Sequence, residues 1–553
     1  MNTFLKPLEE IEDYGKIKEA LAKTEAKKKT RSETVVKISG CIDSQKCHLI
    51  YGTGYEKKYR VIIAANERKA REMYEDYQVY DKNVYQYPAK DIIFYSADIH
   101  GNAIIQERIK IIKQLLEQKP ATIITTIDGG MDRVLPLALL KEAVVSLKTA
   151  DITDLEVLSE RLGNMGYERV GQVEVPGQYA IRGNLLDVYS LTEENPYRID
   201  FWDDEIDTIR AFDVESQRSV ENVEEITIYP ATEILMDEKT LRAGIRKMEA
   251  EQKTYTKLLE EEKKYEESSR INKLAAEWKE NLEVFGATAG LESLVDYFYP
   301  DTVSFFDYFT PDNTVFYLDE PNMVREHGNA VEYEFRESMI LRSEKGYILP
   351  GQMNAVYSME EIFGRLKRQK TVLLCTLDNK VEGFEPTLTA SVPAQSVMSY
   401  QNDFEMLAKD IGNWKKRGYR ILLLSPSRTR AKRLSENLSE YGIPAFFGED
   451  QNRVLNSGEV MVTVGNIHRG FEYVSCGFVV ISESDIFGEK KARRKKKKTY
   501  EGSRENSFTE LNIGDYVVHE NHGIGIYRGI EKIEVEKVTK DYVKIEYAGD
   551  GVL

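Results

Sequence analysis

Short apolar runs that alternate with helical stretches constrain this chain more than any other feature. ETVVKIS (33–39), ending at Gly40, YRVIIAA (59–65) and ATIITTI (121–127) each read as a short strand. The helical stretch ERKAREMYEDY follows the second, and AIIQERIKIIKQLLEQ (103–118), with helical apolar spacing, precedes the third. Strands alternating with helices imply crossovers and a parallel sheet. The expected fold is therefore a multidomain α/β protein. Its 553 residues leave room for about three to five domains.

The pattern changes after residue 143. VGQVEVPGQYAIRGNLLDVYSLTEENPYRIDFWDDEIDTIRAFD (170–213) alternates apolar and polar residues and is broken by Gly and Asn-Pro. That is a mostly antiparallel β unit placed between α/β segments. The reading divides the chain into 1–143 (α/β), 144–229 (inserted β-rich domain), 230–365 (return of the first α/β module), 366–485 (a further α/β unit), 486–507 (linker) and 508–553 (small barrel). Residues 237–285 are a long charged helical run. KTVLLCTLD and YRILLLSPS are read as strands of the further unit. The basic run Lys490 to Lys498 reads as a solvated connector. The tail from Asn512 holds short alternating strands with glycine turns, as in an SH3-like or Tudor-like barrel. It stops at Leu553 inside strand-like sequence, so a final strand is expected to be missing.

The net charge of −17 argues against a protein that coats nucleic acid with its whole surface. Cys41, Cys47, Cys375 and Cys476 show no C-x-x-C spacing and are too few for a disulfide framework, which suggests free thiols in a reducing compartment. No stretch reaches the ~18 apolar residues of a membrane span, and the acidic start has no signal-peptide core. A cytoplasmic location is expected.

The junction after the first strand resembles a broken phosphate loop. G-x-x-x-x-G-K-[ST] cradles phosphate on backbone N–H groups, neutralises it with lysine and places a hydroxyl on magnesium. The chain offers Gly40-Cys41-Ile42-Asp43-Ser44-Gln45-Lys46-Cys47. Gln45 replaces the second glycine, Cys47 replaces the hydroxyl, and Asp43 adds an anion where phosphate would sit. TVFYLDEP places Asp319 and Glu320 at a strand end, where a helicase holds magnesium and water. Gly40, Lys46, Asp319 and Glu320 thus outline a degenerate nucleotide site. No ATP hydrolysis, catalytic residue, metal or cofactor is expected of this chain. The histidines His48, His100, His327, His468, His519 and His522 are scattered, and the pair His519/His522 lacks a third ligand.

The order of parts resembles the bacterial transcription-repair coupling factors (the Mfd family). GQYAIRGNLLDVYS, NPYRIDFWDDEIDTIRAFDVESQRS, ISESDIFGEKKARR and GDYVVHENHGIGIYRGI carry the resemblance, which covers essentially the whole chain. It implies a degenerate RecA-like, UvrB-like module with a dead ATPase, an inserted domain that binds the damage-recognition protein UvrA, and an incomplete CarD-like barrel that docks on the RNA polymerase β subunit by edge-strand pairing. Residue matching implies UvrA contacts at Arg182, Arg198 and Trp202, the last standing where phenylalanine is common, and a polymerase contact at Ile533. Read without the resemblance, Trp202 could be core and the arginines could pair with Asp203, Asp204 or Glu205, while Ile533 could be ordinary core. The family's DNA-translocating motor, with its ATP, magnesium and most DNA contacts, is expected beyond Leu553, as is a C-terminal domain that covers the UvrA-binding face at rest. A chain without that domain is expected to present the face constitutively. Two other readings are a UvrB-like helicase subunit that binds ATP and damaged DNA, and a stand-alone transcription regulator acting through the barrel and the basic run.

Overall fold

The computed structural model describes residues 2–22, 34–90, 101–286, 290–450 and 452–488, and three strands between 516 and 546. The chain divides into two compact units, Met1–Glu489 and Lys490–Leu553.

The first unit is built on a seven-stranded parallel sheet in the order 388–391, 35–39, 371–375, 314–319, 59–64, 121–126, 84–86. The strands Val35–Ser39, Tyr59–Ala64, Ala121–Thr126 and Thr314–Asp319 are buried at every residue, as a sheet covered on both faces requires. One expectation is corrected. Thr371–Cys375 does not open a separate unit; it pairs with Val35–Ser39 and Thr314–Asp319 in the first sheet. The expected boundary at 365/366 therefore falls inside that sheet. A strand buried on both faces carries no polar side to mark its neighbours, so its run of apolar residues could not reveal which sheet it joins.

A second, six-stranded sheet runs in the order 395–396, 471–473, 478–482, 420–425, 460–464, 446–447. One continuous core joins the two sheets: Val36, Ile38, Tyr317 and Leu374 from the first share it with Leu422, Leu424 and Val480 from the second. The helices Asn2–Glu9 and Tyr14–Ala22 contribute Phe4, Leu8, Ile17 and Leu21 to the same core.

The inserted β unit is a six-stranded sheet, 219–223, 205–212, 197–202, 185–188, 178–182, 168–169. Its long strands pair as antiparallel neighbours. Leu186, Val188, Ile199, Phe201, Ile206 and Ile209 form its buried face, and the alternate positions face outward. The charged run after it is two helices, Glu238–Glu261 and Tyr265–Phe285, broken where Lys263 takes a left-handed φ of 61°.

The second unit holds one antiparallel sheet of Tyr516–His519, Gly523–Val535 and Val538–Glu546. His100, His522 and Lys490 to Lys498 lie outside the described residues. No helix among the described residues is long and apolar enough to cross a membrane.

Candidate functional site

Two places collect the residues singled out by sequence. The first is the junction after Val35–Ser39. Gly40 has φ +81°, and a Cβ there would lie 2.9 Å from Pro393 Cα, so both conformation and space require glycine. The loop then enters the helix Gln45–Gly54. Gln45 is fully buried, and its Oε1 accepts from the Ile42 N–H at 3.0 Å. A backbone donor of the kind a phosphate loop turns toward its ligand is thus taken by a side chain. Lys46 Nζ lies 2.6 Å from Asp319 Oδ1 and 2.6 Å from Glu320 Oε1. Burial opposes the Lys46 ammonium, but the two carboxylates outweigh it and its pKa is raised. Burial likewise works against the charged form of Glu320, yet Lys46 and Thr376 hold its pKa below the usual range. The lysine is therefore taken up by the acidic pair, and the trio keeps an excess of negative charge where phosphate would sit. Cys47 turns away, its thiol 3.6 Å from the Met73 carbonyl.

Lys46, Asp319, Glu320 and Thr376 line a cleft of about 660 Å³ that sequence reasoning did not foresee as a junction between sheets. His468 and Arg469, from the second sheet's side, complete it. The His468 N–H donates to Asp76 Oδ1 at 2.7 Å, its Nδ1 lies 2.8 Å from the same oxygen, and the Arg469 N–H donates to Ser44 Oγ at 3.0 Å. Among the described residues no group of three or more His, Cys, Asp or Glu is placed to hold a metal. All four cysteines are free; burial above all lifts Cys41 to about 12 and Cys375 and Cys476 to about 11. None is poised as a nucleophile.

The second place is the outward face of the inserted sheet. Arg198 stands on the strand Tyr197–Trp202 directly opposite Asp187. Its Nε and Nη2 donate to the two Asp187 oxygens at 2.7 and 2.8 Å, and its guanidinium stacks 4.4 Å from the centre of the Phe212 ring. Arg182 Nη2 bonds the same carboxylate. The arginines thus pair with Asp187, not with Asp203, Asp204 or Glu205, the partners of the alternative reading. Asp187 is 1% exposed, whereas the Arg182 side chain is 42% exposed. Trp202 ends the strand 80% exposed, so it is not core. The structure brings Arg182 and Arg198 together on one carboxylate and places Trp202 four residues along the same strand face as Arg198. Sequence reasoning missed Asp187; the only signal was an acidic residue at an alternating position within NLLDVYS.

In the second unit Ile533 lies opposite Lys540 in the strand pair Gly523–Val535 and Val538–Glu546. Among the described residues, the stretch Gly529–Val535 is paired on one side only.

Comparison with known proteins matches these two regions separately. Residues 145–234 match the UvrB interaction domain, and residues 511–553 match the CarD-like/TRCF RID domain. The transcription-repair-coupling factor of Bacillus subtilis (strain 168) is 29% identical over 474 residues, covering 86% of this chain and 40% of that protein. Transcription-repair-coupling factors of Staphylococcus epidermidis and Staphylococcus aureus are 28% and 29% identical, covering 89% and 85% of this chain and 42% and 39% of their own length. The chain thus spans about two fifths of the length of the curated relatives it matches. It is homologous to the transcription-repair-coupling factors over that span, and carries regions that match the UvrB interaction and CarD-like/TRCF RID domains.

Proposed function

We propose that this chain is a docking scaffold for transcription-coupled DNA repair: the inserted domain recruits UvrA, the small β unit binds the RNA polymerase β subunit, and the chain itself turns over no nucleotide. The observation that carries the reading is Trp202, 80% exposed on a domain matched as a UvrB interaction domain. An exposed tryptophan beside arginines has the composition of a binding hot spot. Arg198 is anchored by two bonds to buried Asp187, which fixes the face rigidly before a partner arrives. Arg182 remains exposed enough to share its guanidinium with a partner carboxylate. The first module, on this reading, is a RecA-like lobe whose phosphate-binding lysine, Lys46, is engaged by Asp319 and Glu320 instead of a nucleotide. ATP and magnesium would serve the family's motor, and the protein would work in the cytoplasm.

Calorimetric titration of UvrA into the chain tests the recruiting role. Trp202→Ala and Arg182→Ala are each expected to lose more than about 1 kcal/mol of binding. Neither should unfold the domain, because Trp202 is exposed and Arg198 still holds Asp187 in the Arg182 variant. Absence of UvrA binding by folded wild-type chain would overturn the reading.

The polymerase contact rests on the RID match and on the one-sided pairing of Gly529–Val535. A strand paired on one side offers backbone hydrogen bonds to an incoming strand. Ile533→Asp is expected to weaken binding to RNA polymerase at least tenfold while leaving UvrA binding unchanged. Equal affinity of variant and wild type for polymerase would exclude Ile533 from the contact.

A further inference from the structure

Trp202 is not alone on its face. Ile152, 81% exposed, and Trp202, 80% exposed, are the two most exposed large apolar side chains among the described residues. They come from segments fifty residues apart in sequence, and the backbone places them in one row. The Thr153 N–H donates to the Asp204 carbonyl at 2.7 Å, and the Ile206 N–H to the Asp151 carbonyl at 2.9 Å. That pattern makes Ile152 and Glu205 a directly opposed, non-hydrogen-bonded antiparallel pair. Glu205 is in turn opposed to Trp202 across the hairpin. Directly opposed residues project to the same side of a sheet. Ile152, Glu205 and Trp202 therefore form a row across three strands. The two apolar ends are separated by two strand spacings, roughly 10 Å.

The surroundings of the row are acidic. Asp151, Asp203, Asp204, Glu205 and Asp207 are all exposed. A second copy of this chain would bring the same carboxylates against them, and a nucleic acid would bring phosphates. Like charges opposed across an interface repel each other, so both are poor occupants. A protein that covers the two apolar groups must also desolvate the carboxylates between and around them, which is favourable only with cations opposite.

We propose that Ile152 is a second apolar anchor of the docking face, and that the protein partner meets Ile152 and Trp202 with paired apolar sockets set in a basic rim. This rests on the reading of the domain as the UvrA-docking module, and adds what the partner's surface there must offer. Arg182 and Arg198 lie farther along the same face, so the partner's surface changes sign along that face: cationic opposite the acidic hairpin, anionic opposite Arg182.

The test is titration of UvrA into the full chain at low and high salt, with four variants. Ile152→Ser should weaken binding about tenfold, the loss expected for one anchor leaving its socket. Val220→Ser, an equally conservative change at a 59% exposed site on the strand Ser219–Val223, which pairs with Glu205–Phe212 at the end remote from Glu205, should leave affinity unchanged. Asp203→Asn combined with Glu205→Gln should slow association and flatten its salt dependence. Trp202→Ala reports on the docking reading itself. If Trp202→Ala weakens binding and Ile152→Ser does not, the second anchor is wrong while the docking reading stands. If neutralising Asp203 and Glu205 strengthens binding, the basic rim is wrong. If wild-type chain does not bind UvrA, the docking reading fails and the anchor proposal falls with it.

Discussion

Asp187 and Lys46 show how one residue can settle a local arrangement that its neighbours only suggest. Asp187 is 1% exposed and holds both Arg182 and Arg198. Removing it leaves two arginines without their carboxylate, though both keep some access to water. Asp187→Ala is therefore expected to cost about 2 kcal/mol, less than a fully buried pair would. Denaturant unfolding read against wild type measures this. Lys46 is the converse case. Its side chain is 4% exposed and its partner Asp319 1%. Lys46→Ala strands a buried carboxylate and should cost about 3 kcal/mol. Lys46→Met with Asp319→Asn should recover part of that, because the one carboxylate left without the lysine, Glu320, is partly exposed and still accepts from Thr376. The sequence made Lys46 legible, since its place in a decayed G-x-x-x-x-G-K frame drew attention to it. It showed what the loop lacks, but not that Gln45 would fill it or that Asp319 and Glu320 would take the lysine. Asp187 was illegible because a carboxylate at a strand position looks like any solvated one until its cross-strand partner is known. For Trp202 the residues alone leaned towards core over contact; its 80% exposure removes the core reading.

At the scale of elements, the joint between the two α/β sheets depends on two histidines of opposite behaviour. His48, on the helix Gln45–Gly54, is fully buried between Phe4 and Tyr473; its Nε2 lies 2.8 Å from the Phe4 carbonyl and its Nδ1 3.1 Å from the Tyr473 hydroxyl. Burial pushes its pKa down to about 4. The folded state refuses a proton that the unfolded chain accepts near pH 6.5. Stability from this site is present above pH 6.5 and is lost as pH falls towards 4, by about 3 kcal/mol in all. His468 is raised, chiefly by its hydrogen bond to Asp76. Its contribution is full below the unfolded value and is lost as pH rises through the folded one. His327, raised by Asp128, acts in the same window as His468, so each histidine is read as the difference between wild type and its glutamine variant. His48→Gln should flatten the acid side of the stability profile and His468→Gln the alkaline side. Unchanged slopes would mean that the joint does not titrate. The strands of this joint were legible as strands, because runs such as VVKIS and RILLLS are short and apolar. Their allocation to sheets was not, since pairing is a long-range choice that local pattern does not encode.

Across the whole molecule, the helices Asn2–Glu9 and Tyr14–Ala22 tie the two sheets together. Thr3 Oγ1 donates to the Arg453 carbonyl at 2.6 Å, Arg420 grips Glu10 with bonds of 2.7 and 2.8 Å, and Asp13 accepts from the Ser391 N–H at 2.9 Å. Phe4→Ala should cost about 3–5 kcal/mol and should lower one shared unfolding transition rather than separate two. The inserted sheet, by contrast, turns its polar face to solvent, which suits a module that meets a partner while the joined sheets act as a rigid base. The alternation of VGQVEVPGQYAIRGNLLDVYS made that sheet legible, but Ile152 lies in ADITDLE, where nothing in the local pattern marks a strand or a contact. The central claim is that this face is where the protein docks UvrA, and amide hydrogen exchange of the full chain with and without saturating UvrA locates the contact directly. The account predicts slowed exchange in peptides covering residues 148–154 and 197–212, with the helices 238–285 unchanged. Binding that protects other surfaces and leaves these peptides exchanging as in the free chain would contradict it.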